Sequence, residues 1–372
     1  MRTFTSALIA LTLLLPAAVA QQPAAPKKIP SAEVQSDGRV LFRVRAPNAK
    51  EVFVSVAGAK KAAMQKGEED VWSFTTEPMA PDYYGYSFQV DGVTYVDPSN
   101  PLIKPNLLNL SNMVHIAGPA SLPWEIGNVP HGTIHRHFYH SGVVGDNRDF
   151  YVYTPPAYDP AAKKTYPVLY LLHGFSDDAS GWTSVGQAHI IMDNLIAEGK
   201  AKPMLIVMPL GYGVMEYLQQ RDAETRKRSM NNFRQALFTE VIPTVEKTYR
   251  AATDRKSRAI AGLSMGGAES LYTGLNATDR FAYVGAFSSG GIPGDFDASF
   301  PSLTDKANST LRLLWIACGT EDGLIASNRK FRDWLTSKGI KHTDIETPGA
   351  HTWMVWKRNL AAFAPLLFTN PT

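Results

Sequence analysis

Only one cysteine, Cys318, occurs in the 372 residues, so no intrachain disulfide can form. It lies in an apolar, strand-like run, where a buried and inert thiol is expected. Excess charge is lacking too: 37 Lys+Arg stand against 34 Asp+Glu, a net charge of +3. No run of basic residues is interleaved with aromatics, which speaks against a nucleic-acid partner. Beyond the amino terminus there is no long uncharged apolar stretch, so no membrane span is expected. No internal repeat is visible. What remains is a chain with 44% hydrophobic residues, ample for a globular core and long enough for two domains.

The amino terminus reads as a processing signal. Arg2 supplies a positive start, Ala7 to Leu15 an apolar core too short to span a bilayer, and Ala18-Val19-Ala20 a cleavage site. Residues 1–20 are therefore expected to be a signal peptide, and the protein to be secreted or periplasmic. Residues 21–30 form a proline-rich linker. From 31 to 118 the pattern is one of short strands at Val40 to Val44, Glu51 to Val56, Trp72 to Thr75, Tyr84 to Val90 and Thr94 to Val96. Asp37-Gly38 and Asp91-Gly92 are turn dipeptides beside them. No amphipathic helix intervenes, so this segment predicts a small all-β sandwich. Trp72, Tyr83, Tyr84, Tyr86 and Tyr95 are placed either to stack on sugar rings or to fill the sandwich core and its interface.

Residues 119–134 read as a connector carrying Pro119, Pro123 and Pro130. From 135 to 372 strands and helices alternate, the pattern of a mostly parallel sheet covered on both faces. Strands are expected at Phe150 to Tyr153, Tyr166 to Leu172, Met204 to Met208, before Gly262, at Ala282 to Phe287, Leu311 to Cys318 and His342 to Thr347. Helices are expected at Asn231 to Tyr249, Ala268 to Leu275, Ala326 to Gly339 and Trp353 to Phe368. His135 and His137 share one strand face, but no cysteine or suitably spaced carboxylate accompanies them. Structural or surface roles are expected for both, and no metal.

Gly262-Leu263-Ser264-Met265-Gly266 fits the G-x-S-x-G nucleophile elbow, with an apolar strand before it and a helix after it. Such a turn holds the serine in strained backbone geometry, and its glycines admit close backbone neighbours. A serine hydroxyl is a weak nucleophile that needs a base, itself oriented by a carboxylate. In the order serine, acid, histidine, Asp322 follows the strand Leu311 to Cys318 and His351 follows the last strand, so both reach one sheet edge. Glu321 is the rival acid; His189 and His342 are rival bases that read as surface or packing residues. Two backbone N–H groups must face the developing oxyanion, from Met265 after the nucleophile and from Phe175 in His173-Gly174-Phe175. His173 is expected to brace that loop. Trp182, Tyr212, Ser289 and Trp353 fall in loops near the same edge, either lining an acyl pocket or packing those loops together.

Two resemblances follow from these residues. Phe42-Arg43-Val44-Arg45-Ala46-Pro47-Asn48-Ala49 and Tyr84-Gly85-Tyr86-Ser87-Phe88-Gln89-Val90-Asp91-Gly92 resemble the immunoglobulin-like modules, related to starch-binding domains, that precede many carbohydrate-active enzymes. Thr253-Asp254-Arg255, Ala259 to Gly267, Phe281 to Ser288, Cys318 to Asp322 and His351-Thr352-Trp353 resemble the secreted carbohydrate esterases of the feruloyl and acetylxylan type, which are α/β-hydrolases. The resemblance implies a serine esterase releasing feruloyl or acetyl groups from plant cell-wall polysaccharides such as xylan. It implies Ser264, Asp322 and His351 as the triad and no cofactor. An acyltransferase or an enterochelin-type esterase of the same superfamily is the alternative, and so is a non-catalytic carbohydrate-binding protein.

Overall fold

The computed structural model describes residues 29–369. The signal peptide and nearly all of the linker expected from the sequence lie outside the described residues.

The amino-terminal half is a two-sheet sandwich, and its longest strand shows why. In Asp82–Val90 burial alternates residue by residue: Tyr84, Tyr86 and Phe88 point into the core, while Tyr83, Gly85 and Ser87 point away. That period of two is what a strand with one apolar face requires. One sheet runs Glu33–Val34, Val40–Arg45, Val71–Thr75, Gln65–Lys66 in spatial order. The other runs Ala62–Ala63, Val52–Val56, Asp82–Val90, Ser111–Ile116, Ile103–Lys104, with Val93–Tyr95 paired to the long strand. Phe42, Val52, Val54, Tyr86 and Phe88 form the core between them, joined by Trp72 and Tyr84. Of the five aromatic rings singled out in the sequence, Trp72, Tyr84 and Tyr86 are thus core, Tyr95 is exposed, and Tyr83 faces the second half.

The second half is built on eight strands. Their spatial order is Thr133–His140, Asn147–Thr154, Leu205–Pro209, Val168–Leu172, Arg258–Leu263, Tyr283–Phe287, Leu313–Gly319 and Thr343–Thr347. The first two pairings are antiparallel and the rest parallel. The sequence runs VLYLL, LIVMP, RAIAGL and YVGAF are buried at every residue. Unbroken apolar strands of this kind need cover on both faces. Accordingly Leu169 and Leu171 pack into a core with Trp182, Ile191 and Phe363, while Val168, Tyr170 and Leu172 pack into another with Phe233, Leu237 and Leu271. The expected α/β-hydrolase with a preceding sandwich is the fold.

Besides short added strands in the sandwich, two longer elements differ from expectation. The helix expected at Asn231 to Tyr249 begins earlier, at Ala223–Ala236, widens into a π turn at Leu237–Val241 and ends as Ile242–Thr248. Asp222 caps its start by accepting from the Glu224 and Thr225 N–H groups at 3.0 and 2.9 Å. Pro243, with no N–H to donate, falls in the first turn of the last segment, where none is needed. The strand Ser111–Ile116 was not expected. It pairs antiparallel with Asp82–Val90 and lies against the seam between the two halves.

Candidate active site

The strand Arg258–Leu263 and the helix Met265–Leu275 leave Ser264 alone at the turn between them. Its φ of 51° and ψ of −114° are sparsely populated for a residue with a Cβ. The neighbouring structure holds it there. The Ser264 N–H donates to the Phe287 carbonyl at 2.8 Å, and its carbonyl accepts from the Gly290 N–H at 3.0 Å. The two elbow glycines are required by contact. A Cβ at Gly262 would lie 2.5 Å from the Gly266 oxygen, and one at Gly266 would lie 2.4 Å from the His173 oxygen.

Two further loops converge on the serine from the carboxyl ends of neighbouring strands, the edge where open α/β sheets present their sites. After Leu313–Gly319 the Thr320 N–H donates to the Thr347 carbonyl at 2.8 Å, and the Glu321 N–H to the Gly349 carbonyl at 3.1 Å. These two bonds zip the loop carrying Asp322 to the loop carrying His351. Gly349 makes the turn with φ 115°. The Asp322 carboxylate accepts from the Leu324 N–H at 2.8 Å through Oδ1 and from His351 Nδ1 at 2.8 Å through Oδ2. With Nδ1 donating, His351 Nε2 is free to accept from the Ser264 hydroxyl at 3.0 Å. Burial pushes the Asp322 carboxyl up, but the bonds from His351 and Leu324 prevail and hold it below its ordinary value. Glu321, the rival acid, is exposed. Of the rival bases, His189 is half-buried on the helix Ala188–Ala197, and His342 Nδ1 is bonded to the Ile340 carbonyl at 3.0 Å.

The loop after Val168–Leu172 lies opposite. His173 is buried, donates from Nδ1 to the Gly174 carbonyl at 2.8 Å and accepts at Nε2 from the Gly211 N–H at 2.9 Å. Burial pushes its imidazole down, which favours the neutral ring that this bonding pattern needs. Ser176, with φ 68°, bends the loop so that Phe175 meets the cavity. Phe175 lines the cavity with Ser264, Met265 follows Ser264 as the first residue of the helix, and among the described residues no loop hydrogen bond between backbone groups occupies either N–H.

A cavity of about 400 Å³ opens over Ser264 and His351. Trp353 lines it, with Trp356, Val185 and Phe175. The other three residues considered for this role lie elsewhere, each for a visible reason. Trp182 is fully buried, donates from Nε1 to the Leu172 carbonyl at 2.9 Å and meets Trp353 edge-on at 5.1 Å, so it buttresses the wall from behind. Tyr212 is fully buried, and its hydroxyl accepts from the Ser176 N–H, which fixes the loop bearing Phe175. Ser289 is buried with its carbonyl held by the Asn328 amide at 2.9 Å.

The sandwich supplies walls that sequence reasoning missed. Ala57, Tyr83, Gly85, Lys104 and Asn106 line the same cavity. The Leu107 N–H donates to the Ser176 carbonyl at 2.7 Å, and the Asn106 amide to Ser176 Oγ at 2.9 Å and Asp177 Oδ1 at 3.3 Å. The sandwich therefore reaches the loop of Phe175 directly. The outward position of Tyr83 in its strand was the available hint. Nothing in the sequence marked Lys104 or Asn106.

Other chemistry-bearing groups stand apart. Burial, with Asp322 nearby, pushes the Cys318 thiol up to about 11, the opposite of an activated nucleophile. His137 stacks on Phe150 at 4.8 Å and bonds the Tyr249 hydroxyl at 2.6 Å, while His135 bonds Thr154 Oγ1 at 3.2 Å. Among the described residues no three His, Cys, Asp or Glu side chains gather as a metal site. No described helix is long and apolar enough to cross a membrane.

Comparison with known proteins places this geometry in a family. Residues 141–367 match the Esterase family, described as "Putative esterase". An endo-1,4-beta-xylanase/feruloyl esterase of Xylanibacter ruminicola is 31% identical over 342 residues, covering 90% of this chain and 45% of that protein. The chain spans about half the length of curated relatives it matches, 45% and 55% in two of them. Among solved structures, a CE1 ferulic acid esterase from Anaeromyces mucronatus superposes with a TM-score of 0.59 at 28% identity, over 68% of this chain and 96% of that one. The enterobactin esterase of Shigella flexneri gives a TM-score of 0.66 over 87% of this chain and 92% of that one. At 19% identity this likeness is one of fold alone. With an elbow serine, a sheet of hydrolase order and a family match over more than half its length, the chain belongs to the Esterase family and has the α/β-hydrolase fold.

Proposed function

We propose that the protein is a serine esterase releasing feruloyl or acetyl groups from plant cell-wall polysaccharides such as xylan. The observation that carries the reading is the hydrogen-bonded line Asp322 Oδ2, His351 Nδ1, His351 Nε2, Ser264 Oγ, with steps of 2.8 and 3.0 Å. Ser264 Oγ attacks the ester carbonyl carbon while His351 Nε2 takes its proton. Asp322 fixes the imidazole and stabilises the imidazolium that forms. The carbonyl oxygen, now negative, is met by the Phe175 and Met265 N–H groups, the latter at a helix amino terminus whose dipole favours negative charge. Collapse of the intermediate expels the sugar hydroxyl, protonated by His351, and leaves an acyl-serine. Water, deprotonated by the same histidine, then frees the acid. Written this way the cycle uses no cofactor.

The choice of acyl group is supported by the feruloyl esterase relatives and by the aromatic walls of the cavity, Trp353, Trp356, Phe175 and Tyr83. A substrate of this kind lies outside the cell, which accords with an amino-terminal signal peptide and a secreted or periplasmic enzyme. We take residues 31–118 as an accessory module, 119–134 as the connector and 135–372 as the catalytic unit. A release assay comparing methyl ferulate, acetylated xylan and short nitrophenyl esters tests the acyl preference. Ferulate released faster than acetate, and neither released by Ser264→Ala, is the expected pattern. Turnover only with an added sugar acceptor would replace hydrolysis by acyl transfer.

A further inference from the structure

Each half of the chain brings one cation to the cavity. Lys104 closes the short sandwich strand Ile103–Lys104, its stem packed beside Gly85, and lines the cavity. Arg221 comes from the catalytic half, with its guanidinium carbon 4.9 Å from the centre of the Phe175 ring, beside the loop that faces Ser264. Three other cations, Arg258, Arg329 and Lys357, are paired with Glu246, Glu346 and Asp82. Among the described residues neither Lys104 nor Arg221 has a carboxylate oxygen within 4.0 Å. Asp177 is the single acid on the cavity wall, and one of its oxygens is taken by Asn106. Burial pushes its carboxyl up to about 6, against the pull of Lys104, so it offsets the two fixed cations only in part. Concave walls of low polarity focus such a field on whatever enters.

We propose that Lys104 and Arg221 form a carboxylate-recognition site beside the nucleophile, selecting esters that also carry a free carboxylate. The inference rests on the esterase reading of Ser264 and adds a charge class to its substrate. The carboxylate has two sources, a uronic acid on the glycan or an acidic acyl group, and a planar guanidinium with a mobile ammonium suits either. Because Lys104 comes from the sandwich, that module acts here as part of the substrate site. Its distance from any insoluble surface is then immaterial to this selectivity.

The test uses the full chain and two arms. In the acyl arm, kcat/KM for mono-4-nitrophenyl succinate is divided by that for 4-nitrophenyl butyrate. In the glycan arm, binding of glucuronic acid-branched xylo-oligosaccharide is compared with that of the unbranched oligosaccharide by calorimetry. The wild type should favour the charged member in at least one arm, and that arm names the source. Lys104→Gln and Arg221→Gln should each cut the charged-to-neutral ratio about two- to fivefold, the scale of one partly screened ion pair. Raised salt should shrink the wild-type ratio in the same direction. Equal treatment of charged and neutral members in both arms, or a preference that survives the double substitution, overturns the proposal. Wild-type protein that hydrolyses neither nitrophenyl ester contradicts the esterase reading instead, while the calorimetric arm still reports on the carboxylate site.

Discussion

Asp82 of the sandwich and Lys357 of the last helix form an ion pair across the seam, with both side chains 0% exposed. Arg358 reaches the second Asp82 oxygen at 3.2 Å, and Lys357 lies over the rings of Tyr83 and Trp124 at 5.0 and 5.4 Å. Burial pushes the Lys357 ammonium group down, and Asp82 counters it. Lys357 belongs to the helix Trp353–Phe363, which starts two residues after His351. The pair therefore ties the sandwich to the element that ends the histidine loop. Removing one partner strands a buried charge, which costs far more than the intact pair contributes.

Asp82→Ala should accordingly destabilise the protein by about 3–5 kcal/mol in denaturant unfolding. Replacing both partners, Asp82→Leu with Lys357→Met, should recover most of that loss, because no charge is then left buried. A single Asp82→Ala change within experimental error of wild type would mean that the seam contributes little.

The elbow glycines give a steric prediction. At Gly266 an added Cβ meets the backbone of the segment Leu172-His173, 2.4 Å from the His173 oxygen and 2.7 Å from the Leu172 oxygen, and no rotamer relieves it. Gly266→Ala should lower kcat on 4-nitrophenyl acetate by about 100-fold or more, since displacing Met265 or His173 disturbs the oxyanion donors. Gly294→Ala, with nothing within 4 Å, serves as the control and should behave as wild type. Comparable activity in the two variants would remove close packing as the reason for the glycine.

Asp177 makes stability depend on pH. Its buried carboxyl titrates at about 6 in the native state, above the ordinary carboxylate value of 3.8. Between those two pH values the native state holds a proton that the unfolded chain has lost, so stability falls as pH rises from about 4 to about 6 and stays lower above it. Asp177→Asn should remove that penalty, gaining on the order of 2–3 kcal/mol relative to wild type at pH 7 and little at pH 4. Denaturant unfolding of both proteins at the two pH values measures it; an equal gap at each would contradict the sign.

For the acid of the triad, Asp322→Asn should lower kcat by about 10³–10⁴-fold with the fold intact, because the amide no longer fixes the working tautomer of His351. Glu321→Gln should stay within about twofold of wild type, as expected for an exposed surface charge. Steady-state kinetics on one soluble ester distinguishes the two. A crippled Glu321→Gln enzyme beside a functional Asp322→Asn enzyme would reverse the assignment.

How far the sequence could be read follows from the range of the interactions. Ser264 was legible because its strand, glycines and helix are contiguous, and local backbone demands leave a local signature. Asp322 and His351 were legible because each lies in the loop after a strand of a sheet whose order of elements is constrained. Trp182 and Tyr212 were placed in the right region with lining and packing both left open, and the structure packs them behind the wall. Their sequence positions do not say whether a ring fills the cavity or braces the residue that does. The seam was beyond reach: alternation in Asp82–Val90 marks Tyr83 as outward, but not as facing His115 and Lys357. Ser111–Ile116 escaped because Asn112, buried within the sandwich, breaks the apolar pattern while its side chain bonds Asp97 and Asn100.

The central claim is that Ser264 becomes acylated. Rapid acid quench during turnover of methyl ferulate, followed by peptide mapping, measures this most directly. A feruloyl mass on the peptide carrying Ser264, present in wild type and missing from Ser264→Ala together with the activity, is the predicted result. A feruloyl group on any other residue, or ferulate release by Ser264→Ala at the wild-type rate, would contradict it.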